Sequence, residues 1–70
     1  MPAPADLSQE SGLYFAGIPV TFEGLRHMRP VDVATAFMQT NKRIAAMSSI
    51  VERDRAQKAL TRAALYVKEL

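Results

Sequence analysis

The sequence predicts a mainly α-helical protein. Two helices, over about residues 30–48 and 50–69, form a helical hairpin that is preceded by a flexible tail and a short apolar segment and completed by oligomerisation. Two observations predict this fold. All three glycines and all four prolines lie at or before Pro30, and these residues are the strongest breakers of regular structure. The rest of the chain carries apolar residues at helical spacing, as amphipathic helices do.

The N-terminal segment, residues 1–11, is expected to be a flexible tail, because it consists of Pro, Ala and small polar residues around the apolar Leu7. Residues 12–70 then form a single small domain. The opening residues lack the basic stretch and apolar core of a signal peptide. No apolar run approaches the roughly 20 residues that span a bilayer. We therefore expect a cytoplasmic protein that has no membrane partner.

The apolar segment, residues 13–22, has two interpretations. One is a small β-hairpin that turns at Ala16 and Gly17, with Pro19 confining the second strand to the edge of the sheet. The other is an extended segment that lays its aromatic rings across a groove between helices. A two-stranded hairpin is marginal in isolation, so the segment must pack on the helices in either case. One short helical turn is predicted over residues 23–28.

The first long helix is predicted to begin at Pro30, because proline at the first helical position loses no hydrogen bond. Asp32 lies in the first turn, where a carboxylate complements the helix dipole. An apolar stripe follows at helical spacing, although Asn41 and Ser48 interrupt it. Its members are Val33, Phe37, Ile44 and Val51, with Ala34, Met38 and Ala45 beside them.

The second helix carries a cleaner stripe, with the alternating spacing of an antiparallel helix seam. The stripe consists of Ala56, Leu60, Ala63, Val67 and Leu70, with Ala59 and Tyr66 alongside. The patterns Ser49–Glu52 and Asp54–Gln57 both resemble capping boxes, and either one offers a start for this helix. Neither stretch contains Gly or Pro. One continuous helix over about 31–69 is therefore the alternative to the hairpin.

The predicted core is too small for a stable monomer. A chain of about 60 residues buries only about 60% of the surface that its unfolded form exposes, and small domains compensate with disulfides, metals or self-association. The sequence has no Cys and a single His, so self-association remains, most simply as a dimer. The predicted protein interface comprises Phe37, Ile44, Leu60, Ala63, Tyr66, Val67 and Leu70.

No constellation of residues indicates catalysis, metal binding or a cofactor. His27 is the single histidine, and hydrolytic catalysis needs a nucleophile, a base and an orienting group in one cleft. The glycines are scattered rather than gathered in a phosphate-binding loop. We expect no enzymatic activity. The hypothesis is a small protein-binding module that self-associates and acts on a larger protein as a regulator or inhibitor.

The alternative hypothesis is a protein that binds an anion, a nucleotide or a nucleic acid. Arg26, His27 and Arg29 precede the helix start at Pro30, where free backbone N–H groups and arginines favour a phosphate. The competing interpretation is a solvated loop in which Arg29 pairs with Asp32. The net charge is only +2. In size and shape the predicted hairpin resembles small phage-encoded inhibitors and nucleotide-sequestering proteins, without a shared motif.

The second helix also has a basic face, formed by Arg55, Lys58 and Arg62. Such a face suits a nucleic-acid backbone. However, Asp54 lies four residues before Lys58, at the spacing of an ion pair within a helix. We therefore interpret this face as a solvent-exposed charged surface.

Overall fold

A computed structural model describes residues 9–69 of the chain. As predicted, the protein is mainly helical, with a small antiparallel hairpin before the helices. The elements are β1 (Glu10–Phe15), β2 (Ile18–Thr21), α1 (Phe22–His27), α2 (Pro30–Ala45) and α3 (Ile50–Glu69). Residues 1–8 of the predicted tail lie outside the described residues, and β1 already begins at Glu10.

The apolar segment forms a β-hairpin, which confirms the first of its two interpretations. Ala16 and Gly17 make the two-residue turn, and both have positive φ angles, of 52° and 80°, as a tight hairpin turn requires. Tyr14 lies opposite Pro19. The Tyr14 N–H points away from β2 and toward α2, so these two residues form a non-hydrogen-bonded pair. The nitrogen of Pro19 therefore faces outward, where no ladder hydrogen bond is lost.

Side chains of α2 cover the outer edge of β1. The Tyr14 N–H donates to Oγ1 of Thr40 at 2.9 Å, and the Ala16 N–H donates to Oε1 of Gln39 at 2.8 Å. Thr40 is buried, and its hydroxyl donates to the carbonyl of Ala36 at 2.7 Å. Unpaired main-chain donors at a sheet edge need partners once water is excluded. These two side chains satisfy them and fix the hairpin on the helix.

β1 also packs closely against α3. Gly12 has a φ of +90°, and a Cβ atom at this position would lie 2.8 Å from the Cβ of Ala59. The sheet register shifts just before Leu13, and this irregularity is of the kind that glycine permits. The buried hydroxyl of Ser11 holds the irregular stretch, because it donates to the carbonyl of Val20 at 2.8 Å and accepts from the Leu13 N–H at 3.2 Å.

α2 and α3 are separate helices, so the continuous helix does not form. α2 begins at Pro30, as predicted. The hydroxyl of Ser49 accepts the N–H of Glu52 at 3.3 Å, which confirms the first of the two capping boxes as the start of α3. Val67, near the end of α3, lines the same groove as Val33, near the start of α2. The two helices therefore run antiparallel.

The core is small. Within residues 9–69, the buried apolar side chains are Leu13, Leu25, Val33, Ala36, Ile44 and Ala63. The rings of Phe22 and Tyr66 pack beside them edge to face, with centroids 5.0 Å apart. The large apolar side chains that stay exposed are Ile18, Val31, Met38, Ile50, Val51 and Leu65. In the described part of the chain, six apolar side chains are therefore buried and six large apolar side chains stay exposed.

Candidate binding groove

Most of the predicted interface residues lie inside the folded chain. The buried ones are Ile44 and Ala63, and those half-buried against the core are Phe37, Leu60, Tyr66 and Val67. Leu70 lies outside the described residues. The apolar stripe of α3 packs on β1, α1 and α2 of the same molecule. The prediction that these residues also contact another chain remains a prediction.

An open apolar groove lies where α1, the start of α2 and the end of α3 meet. It has a volume of about 470 Å³. Its lining residues are Leu25, Arg26, Met28, Pro30, Val33, Ala34, Phe37 and Val67. Two residues of the predicted interface, Phe37 and Val67, are among them. Among residues 9–69, Arg26 is the one charged residue of the lining, so the groove is suited to an apolar occupant.

The groove exists because the chain bends between α1 and α2. The hydroxyl of Thr21 accepts the Gly24 N–H at 3.0 Å and starts α1. Proline disfavours the helical conformation in the residue before it, and Arg29, which precedes Pro30, is extended. Met28 is extended as well. α1 therefore stops after six residues, and Leu25 on α1 and Met28 just after it line one side of the groove.

The predicted anion-binding residues are all exposed, and Arg26 among them lines the groove. Arg26 and His27 are in the last turn of α1, and Arg29 is the residue before the first turn of α2. Nε of Arg29 lies 3.3 Å from Oδ2 of Asp32, as in the competing interpretation of this segment. An anion that used Nε of Arg29 would compete with this carboxylate. The anion-binding hypothesis remains a prediction.

The charged face of α3 is exposed to solvent. Nζ of Lys58 lies 3.1 Å from Oδ2 of Asp54, which is the ion pair that the sequence spacing predicts. A smaller hollow of about 260 Å³ lies between β1 and the first turns of α3, with Glu52 and Arg55 on its rim. Both charge signs are therefore present along this side of the helix.

The outer face of α2 departs from the sequence pattern. Ala34, Met38 and Ala45 lie beside the predicted apolar stripe, but all three are exposed. The helix instead buries Thr40, whose partner Tyr14 comes from the hairpin. A signal was present in the sequence, because Val31, Ala34, Met38 and Ala45 form a row of their own.

Val51, which the pattern assigns to the stripe of the first helix, belongs to α3 instead and is 66% exposed. α2 ends at Ala45, six residues before Val51, so the helical spacing that joins Val33, Phe37 and Ile44 does not continue to Val51. The stripe is therefore shorter than the spacing indicates.

Comparison with protein-family models, with curated protein sequences and with solved structures finds no match for this chain. Across residues 9–69, no helix is both long enough and apolar enough to cross a membrane. In the same residues, no three side chains of the metal-binding types come together as an ion site. The groove and the face of α2 beside it are therefore the features of the described residues that indicate a function.

Proposed function

We propose that this chain is a small, non-enzymatic protein-binding module that self-associates and regulates a larger protein, and that the apolar groove is its binding surface. The observation that carries the proposal is the composition of the groove, whose lining within the described part of the chain is apolar except for Arg26. Monomeric proteins rarely leave large continuous apolar surfaces uncovered, and such surfaces mark sites of interaction. Grooves of this kind accept one face of an amphipathic helix or an extended apolar segment.

The groove continues onto the outer face of α2. Ala34 lines the groove. Val31 lies three residues before Ala34 and Met38 lies four residues after it, so both are on the same side of the helix as Ala34. Val31 is 62% exposed and Met38 is 59% exposed. The combined surface is longer than the groove alone. It therefore suits a helical or extended protein segment better than a compact small molecule.

The polar side chains support a binding role rather than catalysis. A hydrolytic site needs a nucleophile, a base and an orienting group that converge on one cleft. The buried hydroxyls of Ser11 and Thr40 are instead engaged with main-chain groups of the fold. In the described residues, the groove itself offers the guanidinium of Arg26 and no carboxylate, imidazole or hydroxyl side chain.

A photo-cross-linking experiment in cells of the native host tests the proposal. Benzoylphenylalanine replaces Phe37, which lines the groove. In the control it replaces Leu65, which is 60% exposed on α3 but does not line the groove. We expect a covalent adduct with one larger protein from position 37 and none from position 65. Ala34→Glu, in the groove wall, should abolish that adduct.

Two outcomes would contradict this proposal. One is the same set of adducts from both positions, because it would indicate non-specific contact. The other is purification of the protein with a bound nucleotide and no protein adduct, which would favour the anion-binding hypothesis. The chain contains no Trp, so an excess of absorbance near 260 nm would reveal a nucleotide clearly.

A further inference from the structure

The outer face of α2 is a row of exposed, mostly apolar residues. Its members are Val31, Ala34, Met38, Asn41 and Ala45, all exposed. The row advances by three and four residues alternately, which is the spacing at which one helix packs along another. From Val31 to Ala45 it extends about 21 Å, at roughly 1.5 Å per residue. Small side chains at Ala34 and Ala45 let another helix approach closely.

We infer that a second copy of this chain covers this surface, with the two α2 helices packed antiparallel across a two-fold axis near Met38. The inference rests on the proposed function, because it identifies one partner of the same surface. Two-fold dimers are by far the commonest oligomers, and their interfaces must be self-complementary. The row meets that condition, since Met38 lies midway between Val31 and Ala45 in the sequence. An antiparallel second copy sets its Ala45 beside Val31, and the reverse contact repeats by symmetry.

The charges on α2 select the antiparallel orientation. Asp32 is in the first turn of the helix, and Lys42 and Arg43 are in its last turn. Arg29 precedes the helix and pairs with Asp32 at 3.3 Å, so the start of α2 carries both charge signs, whereas its last turn carries two cations. An antiparallel pair keeps the two last turns apart and sets the two helix dipoles in opposition. A parallel pair would bring the basic ends together. The guanidinium of Arg43 stacks on the ring of Tyr14, 4.1 Å from its centroid, so Lys42 is the better placed of the two cations.

The row on α2 is too small to form a stable dimer interface by itself, so the interface must also include the groove. Stable interfaces bury about 800 Å² on each partner, whereas one helix face about 21 Å long and about 10 Å wide covers only about 200 Å². In the antiparallel arrangement, the C-terminal end of the second copy's α2 lies beside Pro30 of the first copy, near the opening of the groove. Ile50, which is 81% exposed, follows that end closely in the chain. Its burial in the groove would enlarge the interface.

The edge of the β-hairpin is a poorer surface for a second copy. Strand addition needs a continuous row of main-chain donors and acceptors. β2 presents Pro19, which has no N–H, on its outer edge. The outer N–H of Tyr14 on β1 is bonded to Thr40, and the N–H of Ala16 in the turn is bonded to Gln39. α2 is therefore the favoured surface for self-association.

Single-cysteine variants test the dimer directly, because the natural chain has no Cys. Met38→Cys places a thiol near the proposed axis, and Leu65→Cys is the matched control on the exposed side of α3. With a short bis-maleimide reagent, we expect a covalent dimer from Met38→Cys and none from Leu65→Cys. Equal cross-linking of the two variants would overturn the proposed interface.

Sedimentation equilibrium provides the second measurement. We expect Met38→Asp to raise the dimer dissociation constant at least tenfold and Leu65→Asp to leave it unchanged. Circular dichroism of both variants establishes that they are folded. A wild-type protein that stays monomeric at millimolar concentration, or a dimer that persists undiminished in Met38→Asp, would overturn the inference.

The proposed dimer and the proposed binding of a larger protein can be contradicted independently. A monomeric protein that still gives a specific adduct from position 37 would overturn the dimer and leave the proposed function in place. A dimer without an adduct to another protein would support the inference and contradict the regulatory role. If both are correct, the two occupants share Met38, so Met38→Asp should lower the yield of the adduct with the larger protein as well as dissociate the dimer.

Discussion

The main-chain N–H of Tyr14 donates a 2.9 Å hydrogen bond to the hydroxyl of Thr40, 26 residues further along the chain. The bond joins the outer edge of the β-hairpin to the buried side of α2. Thr40 is 2% exposed, so a water molecule cannot easily replace the hydroxyl. This contact determines where the hairpin lies on the helix and therefore which face of α2 remains exposed.

Thr40→Val should lower the free energy of unfolding by about 1–3 kcal/mol, because the similar side chain offers no acceptor and leaves a partly buried N–H without its partner. Urea denaturation at fixed protein concentration measures this change. The control is Thr61→Val, whose hydroxyl bonds only to the carbonyl of Gln57 on the exposed side of α3. Its effect should stay within about 0.5 kcal/mol. Similar losses in the two variants would show that the Tyr14 contact is not important for stability.

Gly12→Ala should destabilise the fold by two separate effects. The φ of +90° is strained for alanine, by about 1–3 kcal/mol. The added Cβ would lie 2.8 Å from that of Ala59, and overpacking of this kind adds about 1–3 kcal/mol. Thermal unfolding compares it with Gly17→Ala, which has a φ of +80° but nothing within 4 Å of the new atom.

Gly17→Ala should therefore show the strain alone and lose less stability than Gly12→Ala. In the double variant Gly12→Ala with Ala59→Gly, the clash is removed, so the total loss should be smaller than the two single losses combined. Additive losses would contradict the close packing of β1 on α3.

The starts of the helices could be predicted because their signals are local. Pro30 sets the first backbone angle of α2 and lacks a donor that the helix would not use. Ser49 supplies the oxygen that caps α3. Neither feature requires knowledge of what the rest of the chain contacts. Gly17 marks a turn locally, but the choice between the hairpin and the extended segment depends on contacts with α2, such as the bond from the Ala16 N–H to Gln39.

The faces of α2 could be predicted only in part: Val33 and Ile44 of the apolar stripe are buried, as their spacing indicates, but the residues beside the stripe are not. The spacing of apolar residues places Met38 beside the core, yet it is exposed, while the polar Thr40 is buried. Thr40 is buried because the hairpin provides the Tyr14 N–H as a hydrogen-bond partner. Burial of a polar side chain costs free energy unless such a partner is present. The sequence does not show which residues meet across a long separation.

The groove depends on tertiary structure for the same reason. Its walls come from three helices, with Leu25 on α1, Val33 on α2 and Val67 on α3. The sequence indicates that each of these residues is apolar. It does not indicate the angle at which the short α1 crosses the start of α2, and that angle decides whether the apolar side chains close into a core or leave an opening.

Ser49→Ala should destabilise α3 at its N-terminus. The hydroxyl of Ser49 accepts the N–H of Glu52 at 3.3 Å, and loss of a capping side chain reduces stability by about 0.5–2 kcal/mol. Urea denaturation monitored by far-ultraviolet circular dichroism measures both the stability and the helix content. The control is Ser48→Ala, which alters the exposed neighbour of the cap. An equal effect of the two substitutions would argue against Ser49 as the cap.

Ala16→Asn should stabilise the protein by about 0.5–1 kcal/mol. Ala16 has a φ of +52°, a conformation that is unfavourable by roughly 1–2 kcal/mol for most L-residues but more accessible to asparagine. Asn followed by Gly17 is also the preferred pair in two-residue hairpin turns. The side chain at this position is exposed, and the main-chain bond to Gln39 stays in place. The unfolding midpoint in urea should therefore rise at fixed protein concentration.

Ala46→Asn is the matched control, because Ala46 is also exposed but has an ordinary φ of −84°. The midpoint of this variant should hardly change. A lower midpoint for Ala16→Asn would show that the left-handed conformation at the turn does not limit the stability of this fold.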